Sequence, residues 1–131
     1  MIFVDTGGWF ASVVPWDGAH QQATSWLAQN RERLVTTDYV LDETLTLLRR
    51  KNEPQLALQL GKQLMSDSIA TLVYLSEDEI KSSWLVFQQF QDKDWSFTDC
   101  TSKVFMETHG ITQAFSFDQH FRQFGSVTVV P

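Results

Sequence analysis

Apolar positions along the chain fall into two alternating rhythms. Ile2-Phe3-Val4 is a short uninterrupted apolar run, followed by Asp5 and then Gly7-Gly8, and it reads as a buried strand leading into a turn. Leu34-Val35-Thr36, Thr71 to Leu75 and Ala114 to Phe117 repeat that pattern, and Val127 to Val130 reads as an edge strand. Between these runs the spacing becomes helical. A short helix is expected over Trp9 to Val13, and a second lies within Ala19 to Asn30, where Ala19, Ala23, Trp26 and Leu27 share a face. Thr37 or Asp38 caps a third, with Val40, Leu41, Leu45 and Leu48 inward and Arg49-Arg50-Lys51 at its basic end. Pro54 opens a fourth through Leu56, Leu60 and Leu64, and Ser76 with Glu79 forms a capping box for a fifth carrying Ile80, Trp84, Phe87 and Phe90. A sixth runs from Thr98 to His109 and closes at Gly110. Strands that alternate with helices predict an α/β fold: a three-layer α/β/α sandwich around a mainly parallel sheet, joined by right-handed crossovers.

Composition narrows the classes. A length of 131 residues fits one domain spanning 1–131, and 43% apolar with 20% charged residues is the balance of a folded globular chain. With Cys100 as the one cysteine there is no intrachain disulfide and no cysteine zinc site, so a reducing cytoplasm is the expected location. The N-terminus lacks a basic leader, and no apolar run approaches the ~20 residues of a membrane span. A net charge of −6 argues against nucleic-acid binding through a basic surface. Either the acidity keeps the surface soluble, or some carboxylates are committed to cations that invert the local field.

Four acids stand where the second reading needs them. Asp5 and Asp118 directly follow predicted strands, at the carboxyl rim where parallel sheets bind ligands. Glu43 and Asp99 lie in the first turns of predicted helices, where backbone N–H groups favour anions. Four converging carboxylates raise one another's pKa, so convergence makes sense chiefly around Mg²⁺ or Mn²⁺. Each acid also has a local reading: Asp5 as a turn former, Glu43 as a solvated helix residue, Asp99 and Asp118 as helix caps.

The segments Phe3-Val4-Asp5-Thr6, Thr37 to Thr44, Ser96-Phe97-Thr98-Asp99-Cys100 and Ser116 to Phe121, in this order, closely resemble PIN-domain ribonucleases, and among them VapC-type toxins of bacterial toxin–antitoxin pairs. The resemblance spans essentially the whole chain. It implies a PIN-like fold and a Mg²⁺- or Mn²⁺-dependent endoribonuclease with Asp5, Glu43, Asp99 and Asp118 as its acidic quartet, Asp5 and Asp99 foremost as direct ligands. It further implies an RNA substrate, 3′-hydroxyl and 5′-phosphate products, an antitoxin protein partner that covers the acidic groove, and a homodimer. Thr6, Thr98 and Ser116 match hydroxyl positions that orient ligands or substrate, or else serve local turns and caps. Gly7 departs from the pattern, since relatives often carry a polar residue there.

Other residues receive bland assignments. His20, His109 and His120 lack metal-ligand spacing; His120, beside Asp118, is read as a helix-start or surface residue, with phosphate contact as the lesser reading. Cys100 is read as a small buried helix residue. The tryptophans are assigned mostly to the core, with Trp16 and Trp95 in loops as alternative stacking residues; Arg49-Arg50-Lys51 and Arg31 with Arg33 are read as solvated helix ends, with contact to RNA phosphates as the lesser reading. Aspartyl-phosphate chemistry fits poorly, because Gly7 stands where its second aspartate belongs. A catalytically silent PIN-fold protein-binding module is the alternative to the nuclease.

Overall fold

In the computed structural model, which describes residues 1–131, five strands form one parallel sheet. They are β1 (Ile2–Val4), β2 (Leu34–Thr37), β3 (Thr71–Val73), β4 (Gln113–Phe115) and β5 (Thr128–Val130), in the order β3-β2-β1-β4-β5. The register pairs Phe3 with Val35 on one side and with Ala114 on the other, so β1 lies at the centre with all three of its residues buried. That central place explains the unbroken apolar run, since a parallel strand covered on both faces has no polar side to present.

Six α-helices flank the sheet: α1 (Thr6–Val13), α2 (His20–Gln29), α3 (Asp38–Arg50), α4 (Pro54–Met65), α5 (Glu77–Gln89) and α6 (Phe97–Thr108). A 3₁₀ helix covers Gln119–Phe124. Both faces are filled by aromatic contacts. Phe3 meets Phe105 of α6 and Phe121 of the 3₁₀ helix at centroid distances of 5.9 and 6.0 Å, whereas Phe115 meets Trp26 of α2 at 4.6 Å. No helix is long and apolar enough to cross a membrane.

Several local expectations are corrected or settled by the structure. Gly7-Gly8 does not form a turn: α1 starts at Thr6, directly after the strand, with Asp5 as its N-cap accepting from the Gly8 N–H at 2.7 Å. Glycine at position 8 answers a packing demand, because a Cβ there would lie 2.5 Å from the carbonyl oxygen of Phe115. The third and fourth strands end earlier than expected, at Val73 and Phe115, because the chain beyond them turns to helix caps at Ser76 and Asp118. Trp84 is not core: it is 52% exposed on α5 and stacks on Phe87 at 6.0 Å. Trp95, by contrast, is buried, packs between Phe90 and Phe124, and donates its indole N–H to Gln123 at 2.8 Å. Thr37, not Asp38, caps α3.

Candidate metal centre

The carboxyl ends of β1 and β4, the two central neighbours, deliver the first parts of the site. Asp5 is buried at the strand-to-helix junction, where its Oδ1 accepts from Gly8 N and its Oδ2 from the Ser116 hydroxyl, both at 2.7 Å. Ser116 Oγ in turn accepts from the Asp118 N–H at 3.0 Å, which ties the end of β4 to Asp5. Asp118 caps the 3₁₀ helix by accepting from His120 N at 2.9 Å. Asp99 comes from α6, where it forms a capping box with Ser96: Ser96 N donates to Asp99 Oδ2 and Asp99 N to Ser96 Oγ, each at 3.0 Å. Cap and site are therefore one arrangement for Asp99 and for Asp118, because fixing the helix start also fixes where the carboxylate points.

Burial sets the electrostatics. The Asp5 carboxyl is pushed up to about 7, by desolvation first, against the bonds from Ser116 and Gly8 and with the charges of Asp118 and Asp99 adding to the rise. Asp99 is also raised, again by burial first, with Asp118 adding and the Ser96 bond and His120 opposing. Of these acids, Asp99 and Asp118 stand together with His120, each offering a ligand atom within 4.8 Å of the others', while Asp5 is tied to Asp118 through Ser116. Burial pushes the Cys100 thiol up to about 11, with the Asp99 charge adding, which removes it as a nucleophile at neutral pH.

Glu43 stands one step away. It lies on the second turn of α3, and its Oε1 accepts the Thr6 hydroxyl at 2.6 Å. Thr6, Glu43 and Thr98 line an open groove of about 430 Å³ together with Asp42, Thr46, Leu47 and Arg50. Asp99 and Asp118 are thus brought together, Asp5 is linked to them through Ser116, and Glu43 is held apart on Thr6, the neighbour of Asp5.

Two further residues stand near these acids. Arg50 ends α3 as expected and also lines the groove with Glu43, seven residues or about 10 Å further along the helix. His120 does begin the 3₁₀ helix, yet its Nδ1 lies 3.0 Å from Asp99 Oδ2 and 3.4 Å from Asp118 Oδ1. Its distance in sequence from Asp99 hid that contact; the one available signal was its position two residues after Asp118 in a capped turn.

A parallel sheet with acids from β1, α6 and the end of β4 gathered at its carboxyl rim defines a class, and the family match agrees. The PIN domain model matches residues 2–127, so the chain belongs to the PIN-domain family. Its relatives include the 23S rRNA-specific endonuclease VapC20 of Mycobacterium tuberculosis, 31% identical over 131 residues that cover 100% of this chain and 99% of that protein. A VapC ribonuclease of Archaeoglobus fulgidus is 28% identical over 123 residues, 90% of this chain and 77% of that one. Among solved structures, the crystal structure of M. tuberculosis VapC20, described as a sarcin–ricin loop cleaving toxin, superposes with a TM-score of 0.93 at 29% identity over 100% of both chains. FitAcB from Neisseria gonorrhoeae shares the fold at a TM-score of 0.72, with 13% identity over 100% of this chain and 97% of that one.

The donors present suit a hard divalent cation: carboxylate oxygens predominate, and Asp5 and Asp99 are raised by burial, a cost that a bound cation would offset.

Proposed function

We propose that this chain is a divalent-metal-dependent endoribonuclease, the toxin of a VapBC-type pair, with Asp5, Asp99 and Asp118 holding Mg²⁺ or Mn²⁺ and Glu43 completing the site. The observation that supports this reading is geometric: buried Asp5 at the end of β1 is linked through Ser116 to Asp118, which stands with Asp99 at ligand spacing. Asp5, Asp99 and Asp118 would hold the cation, which would supply activation of a water for attack on a phosphodiester and charge neutralisation at the phosphorus oxygens. The chain's own residues preorganise that event. Gly8 N and Ser116 fix both oxygens of Asp5, Ser96 fixes Asp99, and Thr6 aims Glu43 into the groove. Thr98 lines the same groove within reach of a substrate, and Arg50 offers the guanidinium suited to a neighbouring phosphate.

The likeness to VapC20 along the full chain makes bacterial 23S rRNA the first substrate to test. An antitoxin with basic residues complements the acidic groove of a chain of net charge −6. A homodimer is supported by the apolar surface of α5, where Trp84, Leu85 and Phe87 are all exposed. The test of the nuclease reading is to incubate the protein with ribosomes and with naked 23S rRNA, in Mn²⁺, in Mg²⁺ and in chelator, and to map ends by primer extension. Discrete cuts that require metal support it; cutting that persists in chelator contradicts it.

A further inference from the structure

Within the acidic site one donor is not an acid. Asp99, Asp118 and His120 each offer a ligand atom within 4.8 Å of the others', and His120 Nδ1 lies 3.0 Å from Asp99 Oδ2 and 3.4 Å from Asp118 Oδ1. Adjacent ligands of an octahedral ion with bonds of ~2.1 Å stand ~3.0 Å apart, so the imidazole nitrogen is spaced from both oxygens like a neighbouring ligand. Three different pieces of structure supply these atoms: the capping box of α6, the residue capping the 3₁₀ helix, and the second residue of that helix. The ring is anchored by its backbone, because His120 N donates to the Asp118 carboxylate that flanks Nδ1. Phe121, the next residue, is buried against Phe3 and pins the segment to the sheet. The nitrogen is thus held by the fold between two carboxylates, which a freely moving surface histidine is not.

We propose that His120 Nδ1 is a direct ligand of the divalent ion and tilts this site from Mg²⁺ toward Mn²⁺. Mg²⁺ binds oxygen and gives up water reluctantly, whereas first-row transition ions accept an imidazole nitrogen readily among oxygen donors. A neutral imidazole also adds a ligand without adding a negative charge to a site already crowded with acids. The same nitrogen lies within hydrogen-bond distance of the Asp99 carboxylate. This inference rests on the metal-dependent nuclease reading and specifies the ion.

The experiment uses the full chain and Mn²⁺ itself as the probe. Pulsed electron paramagnetic resonance of the Mn²⁺ complex is expected to show coupling to a ¹⁴N nucleus, absent in His120→Gln. Calorimetric titration is expected to show Mn²⁺ affinity falling about tenfold or more in that variant, with Mg²⁺ affinity changed much less. A wild-type protein that binds Mn²⁺ without nitrogen coupling overturns the role of His120 and leaves the nuclease reading intact, as does an equal loss of both ions in the variant. A wild-type protein that takes up neither ion overturns both. The spectrum of the wild-type protein decides the ligand whether or not the variant folds.

Discussion

At the scale of single residues, Asp5 carries the most unusual burden. Its carboxyl is raised from 3.8 to about 7 in the folded chain, chiefly by burial. Between those values the folded state binds more protons than the unfolded one, so the stability of the metal-free protein falls as pH rises from about 4 to about 7. Asp99, raised for the same main reason, acts with the same sign. Glu79 acts in the opposite sense but outside the useful window: burial pushes it up, yet the Ser76 bonds and His109 outweigh that and hold it below 4.5. Calorimetric melting in chelator is therefore expected to give a higher midpoint at pH 5.5 than at pH 7.5, with the difference much reduced in Asp5→Asn. Saturating Mn²⁺ should reverse the trend, since deprotonated carboxylates bind metal and binding stabilises by mass action. A metal-free midpoint that rises from pH 5.5 to 7.5 would contradict this account of Asp5.

At the scale of elements, the junction between β1 and α1 positions Asp5, and its two glycines have unequal duties. A Cβ on Gly8 would meet the Phe115 carbonyl oxygen at 2.5 Å and Val4 Cγ1 at 3.1 Å, both parts of the central sheet. At Gly7 the nearest atoms are the Asp5 oxygens at 3.7 and 3.8 Å, an ordinary contact. Gly8→Ala should lose about 1–3 kcal/mol, visible as a lower urea midpoint, while Gly7→Ala should match or exceed the wild type because alanine suits a helix better. Equal midpoints for the two variants would show that the junction is not closely packed. This junction also marks the limit of what the sequence makes legible. The periodicity reveals every strand and helix and the order of layers, because burial on both faces leaves unbroken apolar runs such as Ile2-Phe3-Val4. Two glycines read locally as a turn, however, since nothing in the sequence tells that Phe115 approaches one of them from a distant strand. The surroundings of His120 and Arg50 are illegible for the same reason: each depends on the fold, through a contact with Asp99 or a groove shared with Thr6 and Thr98. Asp5, Asp99 and Asp118 leave a local mark in the sequence because each caps a helix or sits in its first turn, whereas Glu43, inside α3, leaves none.

At the scale of the whole molecule, an apolar surface adjoins the acidic site. Trp84 stacks on Phe87, Phe87 meets Phe97 edge-on at 5.9 Å, and Phe97 meets Tyr39 at 6.1 Å. Phe97 begins α6 two residues before Asp99, and Tyr39 lies one helical turn before Glu43 on α3. A second copy seated on α5 would lie beside the groove and lengthen the surface along which RNA is held. Light scattering after size exclusion should report a dimer for the wild type and a monomer for Trp84→Asp, with helical content unchanged by circular dichroism. A wild-type monomer, or a dimer unaffected by this substitution, would place the interface elsewhere or remove it.

The whole molecule also carries the central claim, that a chain of net charge −6 cuts RNA because its buried acids hold a divalent cation. The most direct measurement is cleavage of 23S rRNA by wild type and Asp5→Asn side by side, each in chelator and after Mn²⁺ is added back, with the product ends identified. The account predicts discrete cuts by the wild type after Mn²⁺ is added back, leaving 5′-phosphates, none in chelator, and a loss of at least about a hundredfold in the variant. Cleavage by Asp5→Asn at the wild-type rate, or by the wild type in chelator, would contradict it.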